Sequence, residues 1–316
     1  MESKRMRGGI VIKNILIITS SIDYTVDYMI SKYYDRAVFY RCNVDWFGKY
    51  EFSVTNSGWS ISCMDWENSL SEEETYSIYY RKPRFPDLTG YEIEYTAMIQ
   101  NDILSLINGI VDSFRGGVLT KPCILLKCEN KVYQLSYAST AGFLMPKSYI
   151  GNAIGEAKEL EYYKTIIKPI YTGKVYKKEV CEIYQTSIFD SFDEDISLTP
   201  IYLQEYEAKF FEVRVTIVNK KIFPVKIESK DAVDWRRDYE HNQYSIINVP
   251  DEITDKMLKM MDDFDIRFGA FDFIVNADGK WIFLEVNPNG QWQWLECALR
   301  LDISAEIINY LIGETI

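Results

Sequence analysis

The sequence predicts a mixed α/β protein, α+β in its later part, and three observations carry that prediction. A short, wholly apolar run, Ile15-Leu16-Ile17-Ile18, passes through Thr19-Ser20-Ser21 into a helical pattern over residues 24–34, as a buried strand feeding a helix does. Residues 91–114 repeat their apolar side chains at helical spacing. The last third sets β-rich segments around one amphipathic helix and closes on a hairpin pattern.

In chain order, further strands are expected at residues 37–41, 59–63 and 77–81, the last stopped by Lys82-Pro83-Arg84-Phe85-Pro86. The long helix should end at Gly116-Gly117. A helix over 129–141 ends at Gly142, and strands at 146–150 and 163–169 flank a helix near 153–160. Residues 171–197 are mixed and weakly patterned. Residues 201–206, 212–219 and 221–228 read as strands, 251–264 as a helix, 269–287 as a hairpin, and two short helical stretches follow. No repeat of 20 to 50 residues is present. Three regions result: 1–121 as an N-terminal α/β domain, 122–199 as a central one, and 200–316 as a C-terminal domain with an antiparallel sheet.

Composition narrows the function. The 316 residues are 47% apolar, 26% charged and 15% aromatic, which excludes disordered and collagen-like chains. A net charge of −12 repels a phosphate backbone, so nucleic acid is not an expected partner. The single histidine, His241, leaves triads and multi-histidine metal sites without their residues, and chemistry must rest on carboxylates, Lys, Arg or a bound metal. Six cysteines without a C-x-x-C pair read as thiols in a reducing cytosol. Lys13-Asn14 interrupts the early apolar run, and no stretch reaches the ~20 apolar residues of a membrane span. A cytoplasmic protein without a membrane partner is expected.

The strongest chemical signal runs from Phe271 to Pro288. Asp278-Gly279 is a favoured two-residue hairpin turn. With Ala277 opposite Lys280, counting outward places Asp272 opposite Glu285, and Asn287 shares the face of Glu285 while Leu284 and Val286 face away. Opposed carboxylates destabilise a sheet unless a cation lies between them. Two carboxylates and an amide carbonyl are hard oxygen donors that suit Mg²⁺. The alternative is a solvated acidic face, or a carboxylate paired with a nearby Lys. A four-residue turn over 276–279 would shift the register.

The hairpin's Glu285-Val286-Asn287 resembles the E-x-N signature of the ATP-grasp superfamily. More narrowly, Lys131 with Gln134-Leu135 and Ala138, Ile167-Lys168-Pro169, Glu212-Val213-Arg214-Val215, Asp234-Trp235-Arg236 and Phe283-Leu284-Glu285-Val286-Asn287-Pro288-Asn289-Gly290-Gln291-Trp292 resemble the graspetide (microviridin-type) peptide-maturing ligases, in order from Tyr80-Arg81-Lys82-Pro83 onward. The resemblance implies an ATP-grasp fold and the cofactors ATP and Mg²⁺. It implies that Lys131 and Lys168 contact phosphates, that Gln204, Glu205 and Tyr206 hold adenine partly through backbone groups, and that Asp272, Glu285 and Asn287 hold the metal. Arg214 would face the transferred phosphoryl group and the acyl intermediate, Asp234 would orient or deprotonate the attacking hydroxyl, and Arg236 would hold the acceptor region.

Each role has a plain alternative: Lys131 as a solvated charge, Arg214 as the partner of Glu212 or Glu228, and Asp234-Trp235-Arg236 as a surface turn stitched by opposite charges. Two departures stand out. Gly173 is the only glycine between Lys168 and Gln204, where many ATP-grasp enzymes carry a Gly-rich flap, and Glu212 stands where many relatives carry Asp.

The function so implied is an ATP-dependent ligase. It activates Asp or Glu side chains of a ribosomal precursor peptide as acyl phosphates and forms macrocyclic esters with Ser or Thr, or amides with Lys. The resemblance also implies a precursor leader recognised on a separate patch, and a homodimer as one assembly. The alternatives are a carboxylate-amine ligase adding an amino acid to a small molecule or a protein C-terminus, and a non-catalytic nucleotide-dependent peptide binder.

Overall fold

The computed structural model describes residues 6–7, 10–171, 174–177, 180–183, 186–190, 197–231 and 233–314. The chain divides into two compact units.

The first unit holds Met1–Leu125, Ile266–Phe268 and Asp302–Ile316. Its main sheet runs in the order Ala37–Asn43, Lys13–Thr19, Thr75–Tyr80, Gly117–Leu119, with parallel neighbours throughout. Ile15, Leu16, Ile17 and Ile18 are fully buried in the central strand, which explains a run without polar alternation. The helix Tyr24–Tyr33 starts at Asp23, whose carboxylate accepts from the Thr25 N–H. The helix Ile93–Ser113 buries Ile103, Ile107, Ile110 and Val111. It stops before the glycines expected to end it, and Gly117–Leu119 becomes an edge strand of the sheet.

Residues 59–63 are a strand, as expected, but outside the parallel sheet. Gly58–Cys63 is the middle of an antiparallel meander with Tyr50–Thr55 and Leu70–Ser71. Those two neighbours escape a sequence reading because Tyr50–Thr55 is mostly exposed and Leu70–Ser71 is only 2 residues long. The units also depart from chain order, since Asp302–Ile316 joins the first unit rather than the rest of 200–316. The helix Ile303–Leu311 buries Ile303, Ile307, Ile308 and Leu311. The Ser77 hydroxyl donates to the Leu311 carbonyl at 2.7 Å, and Arg36 pairs with Glu314 at 2.6 Å. Such long-range contacts leave no local pattern.

The second unit holds Leu126–Asp265 and Gly269–Leu301. One sheet is ordered Ser148–Gly151, Ile201–Glu205, Thr165–Lys168, Ser187–Ile188, with antiparallel pairings. A larger one is ordered Gln243–Ile246, Lys221–Glu228, Phe211–Val218, Phe268–Val275, Trp281–Asn287. The helix Lys131–Thr140 begins at Asn130, whose side chain accepts from the Tyr133 N–H at 3.0 Å. The helix Asp251–Asp263 buries Met257, Met260 and Met261, the apolar stripe of an otherwise charged sequence. Residues 153–160, read as one helix, form the short α-helix Ile154–Ala157 followed by a 3-10 turn. Gly173 of the flap span lies outside the described residues. Among the described residues no helix is long and apolar enough to cross a membrane.

Candidate active site

The carboxylate hairpin reaches its expected pairing by a different route. The Gly279 N–H donates to the Asn276 carbonyl at 3.0 Å, the Asn276 N–H to the Lys280 carbonyl at 3.2 Å, and Gly279 sits at φ +76. This is a three-residue loop, a turn followed by a left-handed glycine, rather than the two-residue turn the Asp-Gly pair suggested. Val275 therefore faces Trp281 and Phe273 faces Phe283, one residue out of the expected register. A bulge beside Asp272 inserts Leu284 and restores it, so Asp272 does face Glu285. Leu284 lines a pocket with Lys131 and Gln204, while Val286 is buried.

Each carboxylate has a cationic partner. The Arg214 guanidinium, from the neighbouring strand Phe211–Val218, grips Asp272 with both arms, Nε to Oδ1 at 2.6 Å and Nη2 to Oδ2 at 3.0 Å. Arg214 is thus paired with Asp272 rather than with Glu212 or Glu228: Glu212 Oε2 lies 3.1 Å from the Lys209 ammonium, and Glu228 pairs with Lys226 at 2.9 Å. The Lys131 ammonium pairs with Glu285. The Asn287 amide nitrogen lies 3.2 Å from Asp272 Oδ2 and 3.1 Å from Glu285 Oε1, spanning the two.

Burial raises the Asp272 carboxyl above its ordinary range in spite of Arg214. Burial pushes Glu285 the same way, but Lys131 and the charges of Arg236 and Lys168 together outweigh it and hold Glu285 well below the usual carboxylate range. Among the described residues no group of three or more His, Cys, Asp or Glu side chains could hold a metal. A metal here would rest on two carboxylates and the Asn287 carbonyl oxygen, once that amide turns its oxygen inward. Such an all-oxygen set fits Mg²⁺, which takes its remaining ligands from water and phosphate.

Lys131 is held in place by a residue whose role the sequence left undefined. The Gln134 side chain, 3% exposed, accepts from the Val286 N–H at 3.0 Å. It donates to the Val286 carbonyl at 2.8 Å and the Cys128 carbonyl at 2.7 Å. Gln134 thus ties the first turn of the lysine's helix to the backbone between Glu285 and Asn287. Its signal in the sequence was a polar residue one turn after Lys131 on the buried face, followed by the apolar Ala138.

Lys168 donates to Gln204 Oε1 at 2.5 Å, and Gln204 Nε2 donates to Ser148 Oγ at 2.9 Å and to the Tyr202 hydroxyl at 3.1 Å. Burial lowers the Lys168 ammonium to about 8. Lys131, Gln204, Tyr202, Met145, Leu135 and Leu284 border one small pocket of mixed polar and apolar lining. The backbone N–H groups of Glu205 and Tyr206 donate to the Lys147 and Lys164 carbonyls at 2.8 and 2.7 Å. Backbone hydrogen bonds from this segment to a base must therefore come from its other groups.

Asp234 is 3% exposed, caps the 3-10 turn Trp235–His241, and holds Arg236 with both oxygens, at 2.8 Å to Nε and 2.9 Å to Nη2. Both oxygens of the carboxylate are thus engaged by the Arg236 guanidinium. Trp235 lies between the motif's charges, its ring centroid 6.0 Å from the Arg214 guanidinium carbon and 5.0 Å from that of Trp294. Burial raises Glu212 to about 7 despite Lys209.

No protein-family model matches the chain, and no curated protein matches it by sequence. Solved structures do. A RiPP-associated ATP-grasp ligase of Chryseobacterium gregarium, in complex with ADP and a leader and core peptide, superposes with a TM-score of 0.87 at 23% identity, over 96% of this chain and 98% of that one. The macrocyclase MdnC of Microcystis aeruginosa, bound with precursor peptide MdnA, gives 0.85 at 25% identity over 95% and 99%. A D-alanyl-alanine synthetase A of Vibrio cholerae gives 0.58 at 11% over 96% and 98%. The chain has the ATP-grasp fold, in the form shared by these peptide-associated ligases, and the motif resemblance and the fold agree.

Proposed function

We propose that the protein is an ATP-dependent ligase that closes rings in a ribosomally made precursor peptide through side-chain carboxylates. The observation that carries this reading is the convergence of Asp272, Glu285 and Asn287 with Arg214 and Lys131 in a fold shared with ligases solved with precursor peptides.

An oxygen of a peptide Asp or Glu attacks the γ-phosphorus of ATP, the bond to ADP breaks, and an acyl phosphate results. A Ser or Thr hydroxyl, or a Lys amine, then attacks the acyl carbon; the C–O bond to phosphate breaks, inorganic phosphate leaves, and the nucleophile's proton passes to solvent. Lys131 and Lys168 place point charges on the phosphates. Arg214, already forked against Asp272, offers donors to the phosphoryl oxygens and to the oxyanion that develops at the acyl carbon. Arg236, aimed by Asp234, holds the acceptor segment. Mg²⁺ bound by Asp272, Glu285 and Asn287 would supply charge neutralisation at the phosphates. The pocket that Leu284 and Gln204 line is the seat of the base.

The test is direct. Incubation with ATP, Mg²⁺ and the precursor encoded beside the gene should shorten the peptide's mass by one water for each link and release one ADP per link. Intact peptide with intact ATP would end the proposal. A gain of one residue's mass would favour ligation of an amino acid to a carboxylate, chemistry that the same ATP site also supports.

A further inference from the structure

The two lysines proposed to contact phosphate are held in different ways. Lys131 pairs with a carboxylate, Glu285. Lys168 is held by a neutral acceptor: its ammonium donates to Gln204 Oε1 at 2.5 Å, and it makes no ion pair among the described residues.

The sheet register explains why these groups meet. The strand Ile201–Glu205 lies between Ser148–Gly151 and Thr165–Lys168, and its antiparallel pairing sets Gln204 opposite Ser148 and Tyr202 opposite Lys168. Directly opposed residues share a face, as do residues two apart on one strand, so all four side chains stand on the same face of the sheet. Tyr202 and Gln204 are both buried there.

The direction of each hydrogen bond in the group follows from its chemistry. An ammonium can only donate, so the amide oxygen of Gln204 faces Lys168 and the amide nitrogen faces away. The two amide hydrogens go to Ser148 Oγ at 2.9 Å and to the Tyr202 hydroxyl at 3.1 Å. Ser148 accepts because its own hydrogen goes to the Pro146 carbonyl at 3.0 Å. A reversed amide would set donor against donor at Lys168. Gln204 therefore borders the small pocket with both amide hydrogens already engaged, and neither is left for a ring nitrogen of a base.

A neutral acceptor differs from a carboxylate in what it leaves available. A carboxylate beside Lys168 would fix the ammonium and also cancel its charge. The amide fixes it and leaves the charge, with two of the three ammonium hydrogens, for an anion. A lysine already in place is also spared the loss of side-chain freedom when that anion binds.

We infer that Gln204 is a positioning residue: clamped by Ser148 and Tyr202, its amide aims the Lys168 ammonium at the phosphates of the nucleotide and does not read the base. The inference rests on the ligase reading, which puts nucleotide phosphates at Lys168.

The test is calorimetric titration of the full chain, with Mg²⁺, by ADP and by inosine diphosphate, which lacks the exocyclic amine of adenine. Four forms are compared: wild type, Gln204→Met, Lys168→Met and the double variant. Gln204→Met should weaken both diphosphates by the same factor, about three- to tenfold, the effect of one long side chain that must be ordered on binding. Lys168→Met should also weaken both. The double variant should bind no more weakly than Lys168→Met alone, because Gln204 acts through the lysine, whereas a purely structural role would add its loss there too. Ser148→Ala and Tyr202→Phe each release one amide hydrogen and should weaken both diphosphates in smaller measure; if Gln204→Met does not fold, unchanged affinity in both of these overturns the inference. So would a loss confined to ADP, which would make Gln204 a reader of the adenine amine, losses that add in full in the double variant, or a folded Gln204→Met that binds as wild type does. A wild type that binds neither diphosphate would end the ligase reading and the inference together. The predicted pattern in a protein that never dehydrates its precursor would end the ligase reading alone and leave Gln204 in its role.

Discussion

At the scale of the residue, one arrangement accounts for the perturbed groups: two carboxylates share a face and cations from other elements hold them there. Arg214 and Lys131 pair with Asp272 and Glu285, so neither carboxylate is an isolated buried charge. Arg214→Lys keeps the charge but loses the fork on Asp272. The turnover of the purified enzyme should drop by about 10²- to 10³-fold, the cost of removing one oriented transition-state donor, with ADP affinity nearly unchanged. Lys168 yields a pH prediction. Its ammonium is lowered to about 8, below its ordinary 10.5. Below that point Lys168 is charged, and in the proposed function it attracts phosphate, so ATP affinity of the wild type, measured by calorimetry, should weaken as pH rises through 8, while Lys168→Met should show a flatter profile. The stability sign is opposite: between about 8 and 10.5 the unfolded chain binds more protons at this residue than the folded one, so its contribution to stability rises with pH there.

At the scale of the element, the hairpin shows how much a sequence can declare. Its two strands were legible because side chains alternate with period two, while the facing of Asp272 and Glu285, counted from a two-residue turn, holds because two register shifts cancel. The loop type and the bulge were not legible, because a one-residue shift at Gly279 and another at Leu284 cancel where the carboxylates meet. Gly279→Val, at φ +76, should strain the loop and lower the unfolding free energy by about 1–2 kcal/mol, seen as a lower urea midpoint. Gln134 fastens the Lys131 helix to the same hairpin. Gln134→Leu would strand the Val286 N–H and carbonyl in a buried site and should cost about 1–3 kcal/mol. The same change should weaken ADP more than Gly279→Val does, because it frees the helix that presents Lys131. The Asp234-Trp235-Arg236 segment was legible through the motif resemblance, with a charge-stitched turn as the alternative, whereas the two-oxygen grip of Asp234 on Arg236 came from the geometry of the 3-10 turn.

At the scale of the whole molecule, the apolar runs and the long helix announced an α/β first unit, whereas the return of Asp302–Ile316 to it rests on contacts such as Ser77 to Leu311 across the length of the chain. Two strands of the meander stayed hidden because a mostly exposed strand such as Tyr50–Thr55, and one as short as Leu70–Ser71, contribute little hydrophobic signal. The motifs proposed to carry the chemistry are spread from Lys131 to Asn287, all within the second unit. The mass of the precursor after incubation with ATP and Mg²⁺, with wild type and with Asp272→Asn side by side, tests the central claim most directly. The account predicts one water lost per link with wild type and an unchanged peptide with the variant, which still binds ADP. A wild type that removes no water, or a variant that removes it equally well, would contradict it.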